Sequence, residues 1–131
     1  VGLSADIRIE GLRELNKALR EVDEALPKEM RSNLKAVADR VASKAAGRVP
    51  RRSGKLASSI RGLASQKSAS IAEGAARVPY AGSFEFGGWP KGRPYLKEGR
   101  VLFPTAQESE DEVVEAVTEA IEGLIRKAGL D

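Results

Sequence analysis

Apolar and polar residues alternate from Ala5 to Glu10, with Ile7 and Ile9 on the inward side, the period of a strand with one buried face. Past Gly11 the spacing changes: Leu12, Leu15, Leu19, Val22 and Leu26 recur at threes and fours, while Glu14, Lys17, Arg20, Glu21 and Glu24 fill the other side. That period predicts an amphipathic helix. Proline suits a first helical turn better than an interior, so Pro27 predicts a break near Leu26 and a second helix starting there. A single helix kinked at Pro27 from Leu12 to Ala46 is the competing reading. Met30, Leu34, Val37, Ala38, Val41, Ala42 and Ala45 make one face of the second stretch, its alanine-rich seam admits a close neighbour, and Gly47 and Pro50 close it.

Beyond Pro50 the periods shorten. Arg51 to Lys55 reads as a basic loop, and Leu56 to Gly62 as either a short strand or a turn of helix. Ser68 to Glu73 and Ala76 to Val78 read as two short strands around Gly74, most simply a hairpin. Gly82, Gly87, Gly88, Pro90, Gly92, Pro94 and Gly99 punctuate the next stretch, which predicts loop with one helical turn over 80–86. A last helix is expected after Pro104, capped by Thr105, with Glu108, Glu110, Asp111 and Glu112 at its positive end and Arg126, Lys127 and Gly129 at its close. Its buried stripe would be Val113, Val114, Val117, Ala120, Ile121, Leu124 and Ile125.

Composition narrows the chemistry. Of 131 residues 41% are apolar and 31% charged, which suits one domain over 1–131 with a thin core and hints at burial against partner subunits. Without cysteine or histidine there are no disulfides, thiolate nucleophiles, imidazole bases or His- and Cys-ligated metals, so most enzyme classes close and no cofactor is expected. No 18-residue apolar run and no basic-then-apolar leader is present, which reads as a soluble, cytoplasmically made protein with no membrane partner.

Charge is sorted along the chain. Between Arg40 and Ala72 lie Arg40, Lys44, Arg48, Arg51, Arg52, Lys55, Arg61 and Lys67 with no carboxylate among them. Such a run can neutralise nucleic-acid phosphates, and Arg48, Arg51, Arg52, Lys55 and Arg61 in the basic 48–61 segment are the candidate DNA-facing residues. It can equally meet the acidic half of the last helix, Glu108 to Glu122, in the same or a neighbouring subunit; no aromatic residue interleaves with the bases to stack on single strands. Every aromatic side chain falls within 80–103: Tyr80, Phe84, Phe86, Trp89, Tyr95 and Phe103. Tyr80, Phe84 and Phe103 read as packing residues, and Trp89, between glycines and a proline, as an interface anchor. The Gly-rich run from Phe86 to Gly92 lacks the Gly-Lys-Ser/Thr of a phosphate loop. Carboxylate pairs on the last helix read as a solvated face. Glu85, between Phe84 and Phe86, needs a partner if buried, and Arg93 or Arg48 is the expected one.

Three segments resemble one family. Val49-Pro50-Arg51-Arg52-Ser53-Gly54-Lys55-Leu56-Ala57-Ser58-Ser59-Ile60-Arg61 resembles the "Pro, two residues, Thr/Ser-Gly, one residue, Leu, two residues, Ser-Ile" element of the head-tail joining and tail-completion proteins of long-tailed bacteriophages. Tyr80-Ala81-Gly82-Ser83-Phe84-Glu85-Phe86-Gly87 is similar to that family's Tyr-Ala-x-x-x-Glu-Phe-Gly signature, and Gly99-Arg100-Val101-Leu102-Phe103-Pro104-Thr105-Ala106 to its Pro-Phe-Leu-x-Pro-Ala element. Ser53 stands for the commoner Thr, Val101-Leu102 for Pro-Phe, and the stretch from Gly88 to Gly99 is long.

The resemblance implies an α+β fold: a small antiparallel sheet packed against a long N-terminal helical segment and a C-terminal helix. It implies a non-enzymatic virion protein, assembled in the host cytoplasm as a ring, expected to be hexameric, that joins head to tail. Head-side connector proteins and the tail-tube protein would be its neighbours, with double-stranded DNA passing through. On this reading Arg51, Arg52, Ser53, Lys55, Tyr80, Glu85, Phe86, Trp89, Arg93 and Tyr95 face subunits or neck partners. A sequence-independent DNA-binding domain built on the 48–61 segment is the alternative.

Overall fold

The protein is described by a computed structural model over residues 3–9, 11–49, 54–65, 68–74, 81–86, 99–127 and 129, leaving aside the side chains of Gly82, Ser83 and Phe86. Strand β1 (Leu3–Ile7) is followed by helices α1 (Leu12–Val22), α2 (Leu26–Ala46) and the short α3 (Lys55–Ser58). Strands β2 (Arg61–Ala64) and β3 (Ala69–Glu73) come next, then α4 (Ala81–Phe86), α5 (Leu102–Glu108) and α6 (Glu110–Lys127). The fold is α+β, as expected.

The three strands form an antiparallel sheet in the order β1-β3-β2. Directly opposed residues share a face, so the register places Ala5, Ile7, Gly62, Ala64, Ala69 and Ile71 on one side and Ser4, Asp6, Leu63 and Ser70 on the other. The first set lies on the helices and the second meets solvent, the usual division of a one-sided antiparallel sheet. β1 begins and ends earlier than its alternation predicts. Ala5 and Ile7 are the buried positions, and Ile9 packs at the margin of the core after the strand has ended.

The hairpin differs from expectation. β3 pairs with β2, the Ser65 N–H donating to the Ser68 carbonyl (2.9 Å) between them, and with β1 on its other edge. Both edges of β3 are therefore taken, and the strand expected over 76–78 lies outside the described residues. Leu56 to Gly62 contains both of the structures its sequence allows: α3, entered through Gly54 in the left-handed conformation (φ 74°), and then β2.

α2 is the hub, packing against the sheet, α1, α5 and α6. All seven of its predicted seam residues are buried. Pro27 sits in its first turn, and the chain breaks before it, where Asp23 Oδ1 accepts the Ala25 N–H at 2.9 Å; α1 and α2 are thus two helices. The alanine seam receives the sheet: a Cβ on Gly62 would stand 2.5 Å from both the Ala38 carbonyl carbon and the Asp39 amide nitrogen. Backbone cannot yield as a side chain can. Gly62→Ala should accordingly cost about 3 kcal/mol in urea unfolding, and a loss below about 1 kcal/mol would show that the helix and sheet can separate cheaply.

The last helix is two. α5 starts at Leu102, ahead of Pro104, and α6 follows Ser109. Thr105 is a buried residue inside α5 rather than its cap. On α6, Val113, Val117 and Leu124 are buried, Ala120, Ile121 and Ile125 are half-buried, and Val114 is 48% exposed. No helix among the described residues is long and apolar enough to cross a membrane.

Candidate functional site

The described parts of the second and third motif segments are joined by hydrogen bonds, and Arg48, just past the end of α2, holds the third. In the first, Leu56 and Ile60 enter the core. The Ser59 hydroxyl donates to the Leu56 carbonyl (2.7 Å) and accepts the Gly74 N–H (3.0 Å). Arg61 Nη1 reaches the carbonyls of Ser59 (2.8 Å) and Gly74 (3.1 Å). The Ser-Ile-Arg run thus fastens the chain at the point where it leaves β3 toward the second motif.

Glu85 joins the second motif to the third. Its side chain is fully buried at the N-terminus of α5, where Oε1 accepts the N–H groups of Val101 (3.1 Å) and Leu102 (2.9 Å) and Oε2 accepts that of Phe103 (3.1 Å). Val101, at the cap position, supplies no side-chain bond of its own. A helix N-terminus leaves such donors without intrahelical partners and carries partial positive charge, so a carboxylate there satisfies both demands. Gly99 makes room for it: at φ 87° a Cβ would run into Glu85 Oε2. A second tie flanks the cap, with Arg100 Nε donating to the Phe84 carbonyl (2.8 Å) and its guanidinium 5.2 Å from the centre of the Phe84 ring.

Of the two basic side chains expected to hold Glu85, Arg48 does not. Backbone amides hold the carboxylate, Arg93 lies outside the described residues, and Arg48 is engaged elsewhere. Arg48 pairs with Glu108 and donates to Thr105 Oγ1 (3.1 Å), which binds the end of α2 to α5. The hydrogen bond from Arg48 holds the Glu108 carboxyl below the usual range, and the same bond raises Arg48. Lys44 repeats the pattern with Glu112 (2.5 Å) and Ser109 Oγ (3.3 Å). For Lys44 and Arg48, the acidic half of the last helical segment is the partner within the same chain.

Glu73 was not foreseen. It ends β3 opposite Leu3, on the inward face of the sheet, and is fully buried with neither oxygen hydrogen-bonded among the described residues. Desolvation first, and then the neighbouring Glu85 charge, push its pKa up to about 7. The period of β3 places Ala69, Ile71 and Glu73 on one face, a signal that would have flagged it. Asn16 of α1 is likewise buried, with both amide atoms unpartnered among the described residues.

Of the other predicted site residues, Lys55 begins α3 and is exposed, and Phe86 closes α4. Arg51, Arg52, Ser53, Tyr80, Trp89, Arg93 and Tyr95 lie outside the described residues. The structure does fix where their segments attach. Residues 50–53 join Val49 to Gly54, residues 75–80 join Gly74 to α4, and residues 87–98 join α4 to Gly99. Among the described residues no group of three or more acidic side chains is placed to hold a metal ion.

No curated protein and no solved structure matches the chain significantly. A family model does: residues 13–87 match the family described as "Bacteriophage HK97-gp10, putative tail-component". The match takes in the first two motifs and ends where the segment closed by Glu85 begins. Because it covers more than half of the sequence, the chain belongs to the HK97-gp10-like family of bacteriophage tail components.

Proposed function

We propose that this tail component is a non-enzymatic ring subunit of the neck, a tail-completion or connector protein that joins the DNA-filled head to the tail. The observation that carries the reading is the Glu85 cap with its Arg100–Phe84 tie. These contacts hold the two ends of the 87–98 segment together, so a glycine-rich stretch with Trp89 and Tyr95 starts and finishes on a rigid base. The basic 50–53 segment follows Arg48 and Val49 in sequence. Mechanistically this is docking: the scaffold pre-positions the segment ends, and adjoining rings bind what lies between them. A hexameric ring with DNA passing through its channel is the assembly that fits.

Sequence-independent DNA binding through Arg48, Arg51, Arg52, Lys55 and Arg61 draws less support, since Arg48 is paired with Glu108 and Arg61 with two carbonyls. The deciding experiment is complementation of a phage lacking this protein. Full heads and complete tails should accumulate unjoined, the wild-type chain should restore joining, and Trp89→Ala should stay soluble and folded yet fail to restore it. Joined particles in the absence of the protein would reject the reading. Full rescue by Trp89→Ala would remove the aromatic segment from the interface.

A further inference from the structure

Two oppositely charged faces of this chain make no ion pair with each other among the described residues. The first is a groove of about 560 Å³ between α2 and the outer edge of β2, lined by Lys28, Arg31, Ser32, Lys35, Leu63 and Ala64. Its cations are lightly committed: Arg31 Nε makes a long bond to the Ala64 carbonyl (3.4 Å), and Lys35 pairs with Asp39 at the surface (2.6 Å). Leu63, on the solvent face of the sheet, is 42% exposed.

The second is the outer face of α6. Val113, Val117 and Leu124 point to the core, which leaves Asp111, Glu115 and Glu122 on the opposite side with Glu119 beside them. All four are exposed, and none has an ion-pair partner among the described residues, in contrast to Glu108 and Glu112 on the inner side. Val114 stands at the edge of this acidic stripe, 48% exposed.

Resting on the ring reading above, we propose that α6 of a second copy docks antiparallel to α2 along this groove. The spacing is complementary. Along α2 the cations fall at Lys28, Arg31 and Lys35, steps of three and then four. Read backwards along α6, the acids fall at Glu122, Glu119 and Glu115, again three and then four. At about 1.5 Å per residue both triplets span roughly 10 Å, so Lys28–Glu122, Arg31–Glu119 and Lys35–Glu115 come into register together. The same register sets Val114, next to Glu115, toward Leu63 in the groove at Lys35. A contact between two different faces is heterologous, and it closes into a ring when the rotation per subunit fits.

Two measurements on tails assembled from the full chain test this. The chain has no cysteine, so Leu63→Cys with Val114→Cys gives a unique thiol pair. A short thiol-to-thiol cross-linker should then yield a ladder of multimers from the double variant and none from either single variant. Separately, reversing the triplet Lys28, Arg31 and Lys35 to Glu, or Glu115, Glu119 and Glu122 to Lys, should lower the assembled fraction at least about tenfold. Carrying both reversals on one chain should restore it. If a ring forms but neither the cross-link nor the charge reversals affect it, the docking is wrong and the ring reading survives. Dimers from Val114→Cys alone would mean that α6 meets α6, which also overturns it. Loss of duplex DNA retention with the ring intact would make nucleic acid the occupant of the groove. Absence of any multimer in tails would remove the ring reading and this contact together.

Discussion

Glu85→Ala is expected to destabilise the protein by about 4 kcal/mol, a large share of the 5–15 typical of a whole domain. Losing a helix cap costs roughly 1 kcal/mol, and leaving buried N–H groups without an acceptor adds about 1–3 more. Here one side chain serves three amides, those of Val101, Leu102 and Phe103, in a site closed to water. Glu85→Gln should fall between: its carbonyl oxygen still accepts, but its amide group turns a donor toward the remaining N–H. Gly99→Ala should resemble Glu85→Ala, because its Cβ takes the space of Oε2. The two act on one contact, so the double variant should lose much less than the sum of the singles. Additive losses in urea titrations would mean that the carboxylate does not cap α5.

The same variants connect stability to assembly. On the proposed reading, Glu85→Gln should impair head–tail joining more than a Gly62 variant of equal stability loss, since only the former loosens the base of the segment proposed to dock. Equal impairment would reduce Glu85 to a fold-stabilising residue.

How much of this the sequence displays depends on which partner a residue has. Side chains that pack on other side chains leave a period behind, and the seam of α2 from Met30 to Ala45 could be read residue by residue. Pro27 announced the break before α2 because its ring excludes an interior position. Glu85 shows half of its role: flanking phenylalanines mark a carboxylate heading inward, but the described groups that hold it are backbone amides, which have no letter, so the sequence points only to basic side chains. Thr105 misled for the opposite reason. It looks like a cap, yet α5 begins three residues earlier because Glu85, sixteen or more positions away, does the capping. Gly99 and Gly62 are legible only as glycines; what each accommodates, a carboxylate oxygen in one case and the α2 backbone in the other, depends on the tertiary fold. Similarly, the pairing of β3 with β2 and β1 is a non-local choice that short alternating runs do not specify.

Glu73 should make stability fall as pH rises from about 4.5 to about 7. Its ordinary pKa of 4.5 applies in the unfolded chain, while burial and the Glu85 charge raise it to about 7 in the fold. Between those values the folded state holds a proton that the unfolded state has released. Stability therefore declines with pH across that window and levels off above it, where the carboxylate is ionised in both states. The full shift is an upper bound of about 3 kcal/mol, and roughly 2 kcal/mol is the expected decline. Glu108 works in the other direction and at lower pH: its carboxyl is held low by Arg48, so its contribution is present above pH 4.5 and fades as pH drops through its folded value. The difference between wild type and Glu73→Gln isolates the buried acid. In urea titrations from pH 5 to pH 8 the variant should lose the decline and be the more stable of the two at pH 8. A difference that stays flat across this range would show that Glu73 finds a partner or water in solution. A difference that is flat from pH 5 to pH 8 and falls only as pH drops below about 4.5 would mean that a cation reaches it, and the inward end of β3 would then be an ion-pair site rather than a buried acid.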